Sequence, residues 1–141
     1  MSHNALTGTW RLVSAEYKSM EGEAAYPYGQ DPVGYIIYSD DGYMSVAIMK
    51  KARMNYASGD RMRGTLEEKS SAADSYLSYC GRYEIQGNKV IHHIEVSLFP
   101  NSVDTDQERT FEIDGDRLSL STPSFLLDGK LRSGCLIWKR V

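Results

Sequence analysis

The chain has 141 residues, 41 % of them hydrophobic and 25 % charged, which is the length of one domain and a balance that excludes wholesale disorder. Lys and Arg number 16 against 19 Asp and Glu, so the formal charge of -3 gives no general attraction to nucleic acid or anionic lipid. No apolar run exceeds four residues, as in Tyr35-Ile36-Ile37-Tyr38, whereas a membrane-spanning helix needs about 20.

The opening Met1-Ser2-His3-Asn4-Ala5 has no basic head followed by an apolar stretch, so no secretory signal is expected. Cys80 and Cys135 are then expected as free thiols in a reducing, cytoplasmic compartment. Two cysteines and three histidines at these spacings form no zinc motif, and no phosphate loop, nucleophile elbow or dinucleotide fingerprint occurs. The expectation is a protein without metal or cofactor. Ten tyrosines against three Phe and two Trp suit half-wet inner surfaces, because Tyr joins an apolar body to a polar tip.

Most of the chain alternates with period two, the spacing of strands. Gly8–Lys18 opens with Trp10 and Leu12 alternating against Arg11 and Val13. Gly34–Ser39 and Tyr43–Met49 form a hairpin around Ser39-Asp40-Asp41-Gly42, where Asp-Gly supplies the positive φ of a tight turn. After a polar stretch, the interval Leu66–Tyr79 holds one helix, with Thr65 as N-cap and Glu68 as its capping-box partner. Strands then resume at Tyr79–Ile85, Val90–Phe99, Gln107–Ile113, Leu118–Ser121 and Leu131–Val141, separated by turns that include Gln86-Gly87-Asn88 and Asp114-Gly115-Asp116. Eight short strands and one helix in a single domain over 1–141 predict an all-β barrel or sandwich. Polar residues on inner faces favour the barrel, whose interior is wide enough for side chains or one small ligand. Gln107, Arg109, Phe111 and Ile113 share a face, so Arg109 is expected inside, where a guanidinium needs an answering group.

The ordered series resembles the bacterial and fungal lipocalin-like domain family. The resemblance rests on Leu6-Thr7-Gly8-Thr9-Trp10-Arg11-Leu12-Val13-Ser14 with its Gly-x-Trp, Gly34 to Tyr38, and Asp41-Gly42-Tyr43-Met44-Ser45. It continues through Tyr79-Cys80-Gly81-Arg82-Tyr83, Val90 to Glu95, Gln107 to Phe111, and Gly115 to Leu120. It implies an eight-stranded antiparallel up-and-down barrel with a ligand-sized lumen. Trp10 would plug the closed end under a stacked Arg, either Arg109 or Arg140. Such barrels carry small hydrophobic molecules, and some in natural-product pathways act as cofactor-free cyclases or isomerases.

Several residues are candidates for that interior. His92 and His93 are adjacent on a strand, so only one can face the lumen. Burial favours His92, which alternates with Val90, Ile94, Val96 and Leu98; a polar lumen would instead take His93 and Glu95. Arg109 would stabilise developing negative charge or anchor a ligand oxygen, or else cover Trp10. Tyr79 and Tyr83 flank Gly81 on one face, leaving space for a ligand or for a close backbone, and Phe111 would line the same interior. Tyr26 and Tyr28 lie in the connection expected over the mouth. Lys50, Lys51, Arg53, Arg61 and Arg63 form either a solvated rim or a guide for an anionic ligand. Function is therefore expected to be binding of a small, largely apolar, aromatic or polyketide-like molecule. The alternative is a cofactor-free cyclase or isomerase working through a His, Arg109 and a Tyr. The partner is a small molecule rather than nucleic acid or membrane, and a homodimer stays open.

Overall fold

A computed structural model describes residues 4–141; Met1, Ser2 and His3, part of the segment read above for a secretory signal, lie outside the described residues. The strands are β1 (Gly8–Ser19), β2 (Ala24–Ala25), β3 (Val33–Tyr38), β4 (Tyr43–Met49), β5 (Tyr76–Gln86), β6 (Lys89–Ser97), β7 (Thr105–Asp114), β8 (Arg117–Ser121), β9 (Phe125–Leu127) and β10 (Lys130–Arg140). One helix, α1 (Leu66–Asp74), precedes β5. Each long strand pairs antiparallel with the next, and β10 returns to β1 from Trp10↔Arg140 to Ser19↔Arg132. That last pairing closes eight strands into the expected barrel and leaves β2 and β9 as short additions at its rim.

Local chemistry explains the elements. The β3–β4 turn places Gly42 at φ 96°, a conformation that a side chain would resist. Thr65 caps α1 with a complete capping box to Glu68. The helix ends at Asp74, and Tyr76–Tyr79 are already strand. Pairing of these residues with Met49, Ile48, Ala47 and Val46 of β4 outweighs their local helical pattern.

Inward side chains alternate around the barrel: Trp10 and Leu12, Ile36 and Tyr38, Met44, Val46 and Ile48, Val90, Leu118 and Leu120, Leu136 and Trp138 are all buried. Complete burial of each of the larger ones stabilises by roughly 1.5–3 kcal/mol. One end is plugged. Leu6 is fully buried there, and the Trp10 indole N–H donates to its carbonyl at 2.9 Å. Arg140 lies over the Trp10 ring at 4.0 Å and donates to the carbonyls of Thr7 and Ala5. The stacked arginine is thus Arg140, and Arg109 is free for the lumen.

The period-two reading fails twice: in β1, where Val13 is an extra residue between Leu12 and Ser14 and the inward set shifts to Ala15 and Tyr17, and in β6. Gly81 pairs with Ile94 but Cys80 pairs with Val96, so Glu95 is an extra residue in a β-bulge. The bulge reverses the phase, and Val96 and Leu98 turn outward instead of continuing the inner face. Gly81 is needed for it: a Cβ there would lie 2.0 Å from the His93 carbonyl oxygen.

Candidate ligand-binding site in the barrel

His92 sits between Val90 and Ile94 on the inward face of β6 and is only 1 % exposed. Its Nε2 lies 2.7 Å from the Tyr38 hydroxyl and its Nδ1 2.8 Å from the Tyr79 hydroxyl. A neutral imidazole has one donor and one acceptor, so one phenol donates to the ring and the other accepts from it. Register puts the three together: Tyr38 ends β3, Tyr79 faces Val46 on β4, and His92 lies one strand further round.

Burial, reinforced by the nearby Arg109 guanidinium, pushes the His92 pKa down to about 3. Burial also raises the phenols of Tyr17, Tyr38 and Tyr79, with Arg109 opposing the rise at each. At neutral pH the ring and the phenols are therefore uncharged. Among the described residues, Arg109 is the one charged side chain lining the interior cavity.

That cavity measures about 50 Å³ and is walled by Ile36, Val46, Leu120, Leu136 and other apolar side chains around Tyr79, His92, Arg109 and Trp138. It is much smaller than the roughly 300–1,000 Å³ of a typical ligand pocket, which corrects the expectation of a ligand-sized lumen. Inward-pointing tyrosines and His92 fill the space. Leu77, Tyr79, Arg109 and Thr122 are its partly exposed lining residues and mark its open side. Tyr28 packs against the core beside Tyr17, and burial pushes its phenol up to about 12. A larger depression of about 260 Å³ lies between β4, β5 and β6 near Cys80, Val96 and Leu98. It is lined by Ser45, Ser78, Ser97, Tyr76 and Tyr79 but, among the described residues, by no charged one, so the charged group belongs to the smaller interior space.

The predicted residues divide between the two faces. Arg109, Tyr79 and His92 meet at the cavity. Tyr83 is inside but at the plugged end, where its hydroxyl donates to the Ser39 carbonyl at 2.7 Å and accepts from Asn4. Phe111 packs against the core without lining the cavity. His93 and Glu95 are outside, contrary to the polar-lumen alternative, because alternation turns His93 out and the bulge exposes Glu95. His93 Nδ1 lies 2.7 Å from Asp106 and its Nε2 3.0 Å from Glu84, and the Asp106 contact leads in raising its pKa. Tyr26 is no lid over the lumen: it donates to Glu16, a half-exposed residue of β1, at 2.7 Å. In the basic cluster, Lys51 pairs with Asp31 and Arg63 with Asp60, while Arg53 braces Ser75 and the Ala72 carbonyl. Both cysteines are free.

Three interior polar residues were missed: Tyr17, Tyr38 and Trp138. The signal was available for two. Tyr38 alternates with Ile36, and Trp138 with Leu136, which assigns both to the apolar face.

Among known proteins, the family described as a lipocalin-like domain matches residues 7–141. The chain is 32 % identical over 107 residues to the 4'-hydroxy-3'-methoxypropiophenone carrier protein ppsC of Aspergillus oryzae, covering 70 % of this chain and 96 % of that one. A solved lipocalin-like protein from Bacteroides uniformis aligns at a TM-score of 0.49 with 14 % identity, over 98 % of this chain and 100 % of that one.

Proposed function

The chain belongs to the lipocalin-like domain family, and from that premise we propose that it binds and carries a small, largely apolar, aromatic molecule inside the barrel. The observation that carries the reading is the interior itself. An apolar wall surrounds one charged group and a few neutral polar ones, the composition of a small-molecule site. The relative named as a carrier of an aryl ketone supports the same ligand class. In the resting state the guest's place is largely taken by side chains. Entry then means displacing the partly exposed Leu77 and Arg109, with Tyr28 swinging aside.

Carriage is favoured over acid–base turnover. A base works best with a pKa near the operating pH. His92 is held near 3 with both nitrogens engaged by phenols, so it accepts a proton poorly at neutral pH. His93 and Glu95 face outward and cannot replace it.

Propiophenone, a simple aryl ketone, is a suitable probe. Titration followed by native mass spectrometry should give a one-to-one complex from which the ketone is recovered unchanged. Failure to form a complex at the solubility limit, or recovery of a transformed ketone, would overturn carriage.

A further inference from the structure

The chain has two tryptophans, both essentially buried. They share a chemistry, since an indole nitrogen donates and never accepts. The fold treats them differently. The Trp10 N–H is answered by the Leu6 carbonyl at 2.9 Å. The Trp138 N–H has no acceptor among the described residues, although the residue is 1 % exposed. Buried donors left unpaired are uncommon because their desolvation goes uncompensated.

Trp138 stands on β10 between Leu12 of β1 and Leu118 of β8, so its strand neighbours offer no side-chain oxygen. It lines the interior cavity together with Arg109, which is also a donor only. The phenol oxygen of Tyr79, the polar atom nearest in kind, is already engaged with His92. The cavity's hydroxyl oxygens, on Tyr17, Tyr79 and Thr122, thus leave the Trp138 N–H unanswered. We infer that the Trp138 indole N–H is a ligand-binding donor, kept for an oxygen acceptor on the guest, and that the guest is an aromatic molecule with a carbonyl or phenolate oxygen. The inference rests on the lumen being the binding site and adds which atom of the protein reads the ligand. Arg109 supplies the second donor from the open side.

The test compares propiophenone with propylbenzene, which matches its shape closely but has no oxygen, on the wild-type chain and on Trp138→Phe. The substitution keeps a flat apolar ring and removes the donor together with the extra bulk of the indole, and propylbenzene controls for that change in packing. Wild type should bind the ketone more tightly than the hydrocarbon. Trp138→Phe should lose about three- to tenfold in ketone affinity, the worth of one hydrogen bond, and keep its affinity for propylbenzene. An unchanged ketone affinity in the variant overturns the inference.

A second measurement needs no variant. In a ¹H–¹⁵N spectrum of wild type, the Trp10 indole resonance is identified by its nuclear Overhauser contacts to Leu6. Propiophenone should move the other indole proton downfield and leave Trp10 in place, and propylbenzene should produce no such shift. If both probes bind and the Trp138 proton does not respond to the ketone, the donor role is wrong while carriage stands. If neither probe binds, carriage fails and the donor role falls with it.

Discussion

Two adjacent histidines on β6 meet opposite environments, and their protonation should act on stability in opposite directions. His92 has a folded pKa near 3 against about 6.5 in an unfolded chain. Between those values the unfolded state binds the extra proton, so stability falls as pH drops from about 6.5 towards 3, by on the order of a few kcal/mol. His93 is the reverse case, with a folded pKa raised by Asp106 and Glu84. Its contribution is fully present below about pH 6.5 and is lost as pH rises through the folded value. Urea midpoints measured from pH 4 to 8 should show a shallower acid loss in His92→Gln and a smaller alkaline loss in His93→Gln. An acid slope in His92→Gln equal to that of wild type would refute the first assignment. The hydroxyl that answers His92 can be tested in the same assay. Tyr38→Phe leaves Nε2 without its partner inside the barrel and should cost about 1–3 kcal/mol. Alternation sets His92 and His93 on opposite faces, but which of them enters the lumen stayed open in the sequence between burial, which favours His92, and a polar lumen, which would take His93. The two tyrosines that clamp His92 were not legible there, because they come from β3 and β5 and meet only through sheet register.

At the scale of elements, local signals were read well wherever one residue pair decides the outcome. The Thr65–Glu68 capping box and the turn ending at Gly42 depend on neighbours within a few positions. The end of α1 was misplaced for the opposite reason. Tyr76 to Tyr79 are drawn into β5 by a strand some 30 positions earlier, which no local pattern announces. The bulge at Glu95 is the more consequential case. Val96 and Leu98 continue the apolar alternation of β6, yet the shifted register places them outside. The sequence trace of that event is Gly81 on the partner strand, which was open to either a ligand or a close backbone and turned out to serve the backbone. Gly81→Ala should destabilise by about 3 kcal/mol or more, since the new methyl meets the His93 carbonyl and the Glu95 amide nitrogen rather than a movable side chain. Denaturant midpoints would measure the loss, and a change under about 0.5 kcal/mol, the ordinary range of a neutral surface substitution, would show that the bulge relaxes easily.

The whole barrel has one braced end and one looser end, and that asymmetry governs how a guest gets in. At the braced end Asn4 bonds to the amides of Leu6 and Thr7 and to Tyr83, while Arg140 ties the carbonyls of Ala5 and Thr7 beneath Trp10. Around the cavity's open side Thr122 bonds to Gly134 through both its amide and its hydroxyl, but Leu77 has no polar side-chain group to tie it and the Arg109 guanidinium bonds to the carbonyl of its own neighbour, Glu108. Expansion of a 50 Å³ space to ligand size should therefore happen there. Hydrogen exchange with and without propiophenone tests this directly. Protection should rise at the start of β5, along β7 near Arg109, just after β8, and in the connection carrying Tyr28. The amides flanking Trp10 already sit at the braced end and should change little. Linkage sets the accompanying thermal effect, because a ligand that binds only the folded barrel at a hundred times its Kd adds about 2.7 kcal/mol. A rise in Tm with protection spread evenly over both ends would mean that the guest stabilises the barrel without entering from the looser end, and the displacement of Leu77, Arg109 and Tyr28 would have to be abandoned.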